Sequence, residues 1–207
     1  MAPAGVASSV RTPATKLPFL PQRRRLILAA CATLAAALPA AAQQCRGTPR
    51  DQLGPFYLRN APEHSELCAS GSGGKERLEV TGRVLGTDCK PLSGALVEVW
   101  HADAAGDYSG FAPQAPGKKD DPACLLRASI KTDAEGRYRF ITIVPAEYPG
   151  RPRHIHYRVS HAAHAPLVTQ LYFSRERGVA DALVVALSRD DKGVSRAAFA
   201  VTLVRAA

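Results

Sequence analysis

The stretch Leu78-Glu79-Val80-Thr81-Gly82-Arg83-Val84-Leu85 places apolar side chains at 78, 80 and 84, with Glu79, Thr81 and Arg83 between them. Alternation with a period of two describes a strand with one buried face. Working outward, comparable short runs recur at Ala95 to Ala102, Leu125 to Thr132, Tyr138 to Val144, His154 to Ser160, Leu167 to Phe173 and Ala197 to Val204. Asp88-Cys89-Lys90-Pro91 and Asp133-Ala134-Glu135-Gly136 supply turns between them, and no run keeps a helical period long enough for a bundle. About seven strands at this spacing predict an all-β fold, an antiparallel β-sandwich of the immunoglobulin or transthyretin-like two-sheet architecture with long loops. One connection is too long for a hairpin: Gly106 to Ala123, which holds glycine and proline breaks and the charged run Lys118-Lys119-Asp120-Asp121. Structureless loops of that length in a domain are usually functional or disordered.

Upstream of the strands the composition changes twice. Gln43 to Gly74 is rich in Pro, Gly and polar residues without sustained periodicity, and reads as an extended arm ending in the flexible joint Ser70-Gly71-Ser72-Gly73-Gly74. Residues 1–42 contain no Asp or Glu, a basic cluster Arg23-Arg24-Arg25 and an apolar run from Leu26 to Leu38 that ends in Pro39-Ala40-Ala41-Ala42. A run of that length falls short of the roughly 20 residues a spanning helix needs, so this is the pattern of a cleavable signal peptide, and it predicts a periplasmic or secreted protein. The paired arginines are compatible with a twin-arginine route, and cleavage is expected after Ala42. The expected domains are therefore a signal peptide over 1–42, an arm over 43–74 and a β-sandwich over 75–207.

The 207-residue chain carries 27 Lys and Arg against 18 Asp and Glu. Five of the basic residues and none of the acidic ones belong to the leader, so the remainder holds 22 against 18, an excess of four. Without a basic helix or an aromatic-interleaved Lys/Arg stripe, that excess argues against nucleic acid as a partner and fits a small anionic ligand. No stable membrane anchor is expected. Removing the leader removes Cys31 and leaves Cys45, Cys68, Cys89 and Cys124, an even number in a chain bound for an oxidising compartment. Four cysteines allow three pairings, and proximity in the chain favours Cys45 with Cys68. The absence of a C-x-x-C spacing counts against zinc.

The residues that can carry chemistry gather in two places. In Arg151-Pro152-Arg153-His154-Ile155-His156-Tyr157 the two histidines lie at i and i+2 on a strand, so they share a face while Ile155 points away. Tyr148 lies in the loop leading directly into that strand, and Tyr108 follows the strand that ends at Trp100-His101-Ala102. Two phenols and two imidazoles together suit a hard, strongly Lewis-acidic ion, because a phenol of pKa near 10 ionises at neutral pH only beside such a partner. His101, His161 and His164 are expected to have structural roles.

The segments Val97 to Phe111, reading Val-Glu-Val-Trp-His-Ala-Asp-Ala-Ala-Gly-Asp-Tyr-Ser-Gly-Phe, and Tyr148 to His156, reading Tyr-Pro-Gly-Arg-Pro-Arg-His-Ile-His, resemble the two signature segments of the intradiol ring-cleavage dioxygenases. Protocatechuate 3,4-dioxygenase and catechol 1,2-dioxygenase are the best-known members of that family. Thr48 to Tyr57 is similar to the stretch that leads into the family's sandwich. The resemblance implies Fe(III) held by Tyr108, Tyr148, His154 and His156, with Tyr148 as the ligand that leaves when substrate arrives. It implies an active-site arginine at Arg151, which would stabilise negative charge developing during attack, and a glutamine near the O2 site at Gln170. It further implies a small catechol-type substrate and O2 as partners, and a muconate-type diacid as product; the substituents on the ring stay open. The chain lacks the long helical N-terminal segment with which catechol 1,2-dioxygenases dimerise, so the assembly of a homo-oligomer does not transfer from them.

Two other readings compete. A non-catalytic, exported transthyretin-like binding module accounts for the strands and the leader without a metal. A copper-binding protein accounts for the paired imidazoles, although Met1 is the only methionine and no thioether ligand is at hand. Metal identity separates the three.

Overall fold

The computed structural model describes residues 44–206 apart from 70–74, 112–116, 118, 149 and 176. The expected signal peptide over 1–42 and the glycine-rich joint over 70–74 therefore lie outside the described residues. The described residues form nine strands: β1 (Arg77–Gly86), β2 (Leu96–Trp100), β3 (Arg127–Lys131), β4 (Arg137–Ile143), β5 (His154–His161), β6 (His164–Tyr172), β7 (Ser188–Arg189), β8 (Ser195–Ala198) and β9 (Val201–Leu203). One 3-10 turn spans Asp181–Leu183, and the described residues contain no α-helix. The strands form two sheets, one in the order β3-β2-β5-β6 and the other β4-β1-β8-β7 with β9 also on β1. The alternation read at Leu78 is met in β1, where Leu78, Val80 and Val84 are fully buried. They pack with Val97, Val99, Ile155, Tyr157, Val159 and Leu171 of the facing sheet in one apolar core.

Two expectations are corrected. The run Ala197 to Val204 is not one strand: it breaks at Phe199-Ala200 into β8 and β9, and both pair with β1 in parallel, whereas the other strand pairs described are antiparallel. The break is held where the Phe199 N–H donates to the Thr81 carbonyl at 2.9 Å and the Tyr138 hydroxyl donates to the Phe199 carbonyl at 2.5 Å. Gly82 permits this approach, since a Cβ there would lie 1.9 Å from the Phe199 oxygen. The cysteines do not pair by proximity either. Cys45 bonds Cys89 and Cys68 bonds Cys124, with Cα separations of 5.1 and 3.8 Å. The first bridge ties the start of the arm to the turn after β1, and the second ties the arm's end to the chain just before β3.

Between those two bridges the arm is extended but not loose. Its backbone N–H groups at Thr48 and Asp51 donate to Thr202 and Val168, at 3.0 and 2.9 Å, so it runs past the end of one sheet and along β6 of the other. The exposed backbone of an arm is thereby satisfied without forming a strand of its own.

Candidate active site

The site begins with the face of β5. Ile155 is fully buried in the core while His154 and His156 point to the opposite side, and both are nonetheless buried. The strand register sets Tyr172 of β6 opposite His154, and Gln170 of β6 and Trp100 of β2 on either side of His156. Trp100 stacks flat on His156, with ring centroids 4.9 Å apart and an interplanar angle of 4°. Burial pushes the His154 imidazole down to about 4 and the His156 imidazole down to about 3, with the neighbouring Arg151 charge acting in the same direction. Both rings are accordingly neutral at pH 7, the form in which imidazole binds a metal. His154 Nδ1 lies 2.6 Å from the Pro152 carbonyl. A carbonyl only accepts, so Nδ1 carries the proton and Nε2 presents its lone pair.

Two loops bring in the tyrosines. After β2 the Asp103 carboxylate accepts from the backbone N–H groups of Ala105 and Asp107, at 2.7 and 3.1 Å, and Gly106 takes a φ of 89°, which turns the chain back and buries Tyr108. Ahead of β5, Tyr148 and Arg151 exchange backbone hydrogen bonds across a tight turn in which Gly150 has a φ of 76°. The turn delivers Tyr148 and Arg151 to the same end of β5. Tyr108 Oη then lies 3.3 Å from Tyr148 Oη, 3.5 Å from His154 Nε2 and 3.2 Å from His156 Nε2. Tyr148 Oη is 3.3 Å from His154 Nε2, and the two Nε2 atoms are 3.1 Å apart.

These spacings suit one small cation: four ligands about 2.0 Å from an ion in a tetrahedral-like array stand about 3.3 Å from one another. The chemistry of the donors agrees. Burial and the adjacent Tyr148 push the Tyr108 phenol above its ordinary value, so it stays protonated unless a cation compensates the phenolate. Among the described residues no three His, Cys, Asp or Glu side chains gather as a metal site. The set therefore depends on its two phenols, which favours a hard ion over copper or zinc.

Arg151 and Gln170 adjoin this quartet. The Arg151 guanidinium donates to Gln170 Oε1, and Gln170 Nε2 donates to the Gln52 carbonyl at 2.7 Å. The arm carries no residue expected in the site, yet the structure lays Asp51 to Tyr57 across it. Phe56 stacks on Tyr108 with centroids 4.2 Å apart, and Tyr57 leans on Trp100 while donating to Glu98 at 2.9 Å. Gly54, with a φ of 69°, passes so close that a Cβ would sit 3.0 Å from His156 Cε1. The signal available beforehand was Gly54-Pro55-Phe56-Tyr57, aromatic residues beside a glycine in a stretch with no strand of its own to fill. The other histidines lie outside the quartet: His101 bridges the Ala102 carbonyl and Thr142 Oγ1 at 2.8 and 2.7 Å, and His161 meets His164 at 3.1 Å across the β5–β6 hairpin.

Beside Tyr108 opens a cleft of about 250 Å³ lined by Phe111, Ser109 and Asp120 among others. A wider groove of about 790 Å³ at Tyr138 and Phe199 includes no quartet residue, so cavity size does not locate the chemistry here.

A family model described as Dioxygenase matches residues 53–200. The chain is 41% identical over 146 residues to catechol 1,2-dioxygenase 2 of Acinetobacter lwoffii, covering 60% of this chain and 50% of that protein. It is 46% identical over 144 residues to the protocatechuate 3,4-dioxygenase beta chain of Burkholderia cepacia, covering 60% and 58%. The chain thus spans about half the length of the curated relatives it matches. Among solved structures, 3-chlorocatechol 1,2-dioxygenase from Rhodococcus opacus 1CP superposes with a TM-score of 0.67 at 28% identity, covering 80% of this chain and 75% of that one. The dioxygenase domain of a dioxygenase and carbohydrate-binding protein fusion from Streptomyces sp. SirexAA-E gives 0.66 at 32% identity, covering 78% and 100%. With its family match over residues 53–200 and catechol and protocatechuate dioxygenases among its relatives and structural neighbours, this chain belongs to the intradiol ring-cleavage dioxygenases.

Proposed function

We propose that the protein is a non-haem, Fe(III)-dependent dioxygenase that opens a catechol-type ring between its two hydroxylated carbons, adding both atoms of O2 to give a muconate-type diacid. The observation that carries this reading is the convergence of Tyr108, Tyr148, His154 and His156 on one ion-sized space. When bound, ferric iron supplies the Lewis acidity that ionises the phenols and makes a chelated catechol reactive towards O2.

The protein's own part follows from the environment of each group. His154 and His156, neutral and fixed by the Pro152 carbonyl and the Trp100 stack, are ready to ligate without losing a proton. Tyr108 is buried beneath Phe56 and serves as a permanent ligand. Tyr148 is less enclosed, on a tight turn, and its Oη is suited to accept a proton from an arriving catechol hydroxyl. The Arg151 guanidinium offers fixed N–H groups to charge that develops on the ring, with Gln170 holding it in place. Phe56, Trp100 and the arm keep water from the ligands. The two disulfides support work in an oxidising compartment such as the periplasm or the exterior.

The test is the iron content and visible spectrum of the protein, before and after anaerobic addition of catechol. A stoichiometric, coloured iron protein whose band shifts with catechol, and which opens the ring once O2 is admitted, is the expected result. Protein that stays colourless after iron reconstitution would overturn the reading.

A further inference from the structure

The register that seats the two histidines also places Tyr172 beside His154 and Gln170 beside His156, and both β6 residues are buried. Burying an amide and a phenol is costly unless their polar atoms find partners. Gln170 Nε2 donates to the Gln52 carbonyl at 2.7 Å, an orientation that turns Oε1 towards Arg151. Tyr172 Oη lies 2.8 Å from the same Oε1, 3.4 Å from Arg151 Nη2 and 2.9 Å from Asp51 Oδ2. The phenol has one proton and two acceptors in reach. A carboxylate is the stronger acceptor, so the proton points to Asp51 and the Oη lone pairs are left for Arg151.

Asp51 is itself held. Its backbone N–H donates to Val168 at 2.9 Å, and its second carboxylate oxygen accepts from the Gln52 N–H at 2.6 Å. Among the described residues, by contrast, the Arg151 guanidinium meets neutral acceptors: Gln170 Oε1, Tyr172 Oη and Gln52 Oε1. A guanidinium on a long, rotatable stem keeps one orientation only where its fork meets fixed acceptors. The negative charge that answers it arrives one step further out, from the arm.

We infer that Asp51 is a positioning residue for Arg151: its carboxylate orients the Tyr172 hydroxyl, which with Gln170 aims the guanidinium at the quartet. The inference rests on the reading of the quartet as a catechol-opening site, and it gives the arm a catalytic purpose beyond covering the ligands.

Two substitutions test it, Asp51→Asn, which keeps the shape and removes the charge, and Tyr172→Phe, which removes the relay. The first readout uses metal-free protein: the rate at which phenylglyoxal modifies Arg151, resolved by peptide mass spectrometry, should rise several-fold in both variants. The second uses iron-loaded protein. Iron content and the catechol-induced band shift should be unchanged, while kcat falls about ten- to a hundredfold, the usual effect of losing an outer partner of a reactive group. In an Asp51→Asn, Arg151→Ala double variant the loss should not exceed that of Arg151→Ala alone, because the carboxylate acts through the guanidinium. An unchanged labelling rate, a kcat within twofold of the parent, or losses that multiply in the double variant would overturn the inference. A parent protein that opens no catechol would overturn the proposed function, and the labelling rates would still decide whether Asp51 orients Arg151.

Discussion

Metal-free protein should lose stability steeply between pH 7 and pH 5, well above the range where carboxylates titrate. Burial lowers His101 and His154 to about 4 and His156 to about 3, against an ordinary imidazole value of about 6.5. The folded-state values lie below the unfolded ones, so the unfolded chain binds more protons between about pH 4 and 6.5 and stability falls as pH drops through that window. At pH 5 an unfolded imidazole is about 97% protonated, whereas one with a pKa of about 4 is about 9% protonated, a difference of about 2 kcal/mol per ring. Three such rings contribute on the order of 5 kcal/mol, a large part of a typical domain stability of about 5–15 kcal/mol. Glu76 and Glu79, whose carboxyls are lowered by hydrogen bonds from Ser195 and Arg139 first, add to the loss mainly below pH 5. The assay is urea unfolding of the chelator-treated protein at pH 7, 6 and 5, alongside a His154→Gln, His156→Gln double variant. The parent should fall by several kcal/mol, and the variant, which keeps His101 and His164 but lacks two of the lowered rings, by clearly less. A parent stability that changes by less than about 1 kcal/mol, or an identical fall in the variant, would refute the assignment of neutral, desolvated imidazoles.

Three further outcomes are expected. Tyr108→Phe should lose both the ordered iron and the visible band, and Arg151→Ala should keep iron while catalysis drops, which metal analysis beside steady-state kinetics will separate. Gly54→Ala adds a Cβ 3.0 Å from His156 Cε1 at a positive φ and should cost about 1–2 kcal/mol of stability and displace His156, seen as weaker iron retention in a competitive chelator titration. Replacing Cys45 and Cys89 by Ser opens a bridge spanning 44 residues and should lower stability by about 4 kcal/mol on the chain-entropy model, read by calorimetry, with easier loss of iron because the arm is freed at its start.

How much of this was legible beforehand follows from the range over which each feature is decided. Alternation at Leu78 to Leu85 and at His154 to Ser160 is local, and a strand's period of two is enough to put Ile155 inside and both histidines on the other face. The same locality makes the turn between Tyr148 and His154 readable, whereas adding Tyr108, 40 residues before Tyr148, rested on the resemblance of the two segments to the intradiol family. What only the tertiary structure decided is the choice among distant partners. Cys45 met Cys89 across 44 residues and Cys68 met Cys124 across 56, although Cys45 and Cys68 are nearer each other in the chain. Loop-closure entropy grows only slowly with length, so proximity carries little preference once packing chooses the pair. Asp51 reaches Tyr172 across 121 residues for the same reason. The parallel seat of β8 on β1 depends on a glycine being opposite one particular carbonyl, and no periodicity along a single strand encodes which neighbour it will meet.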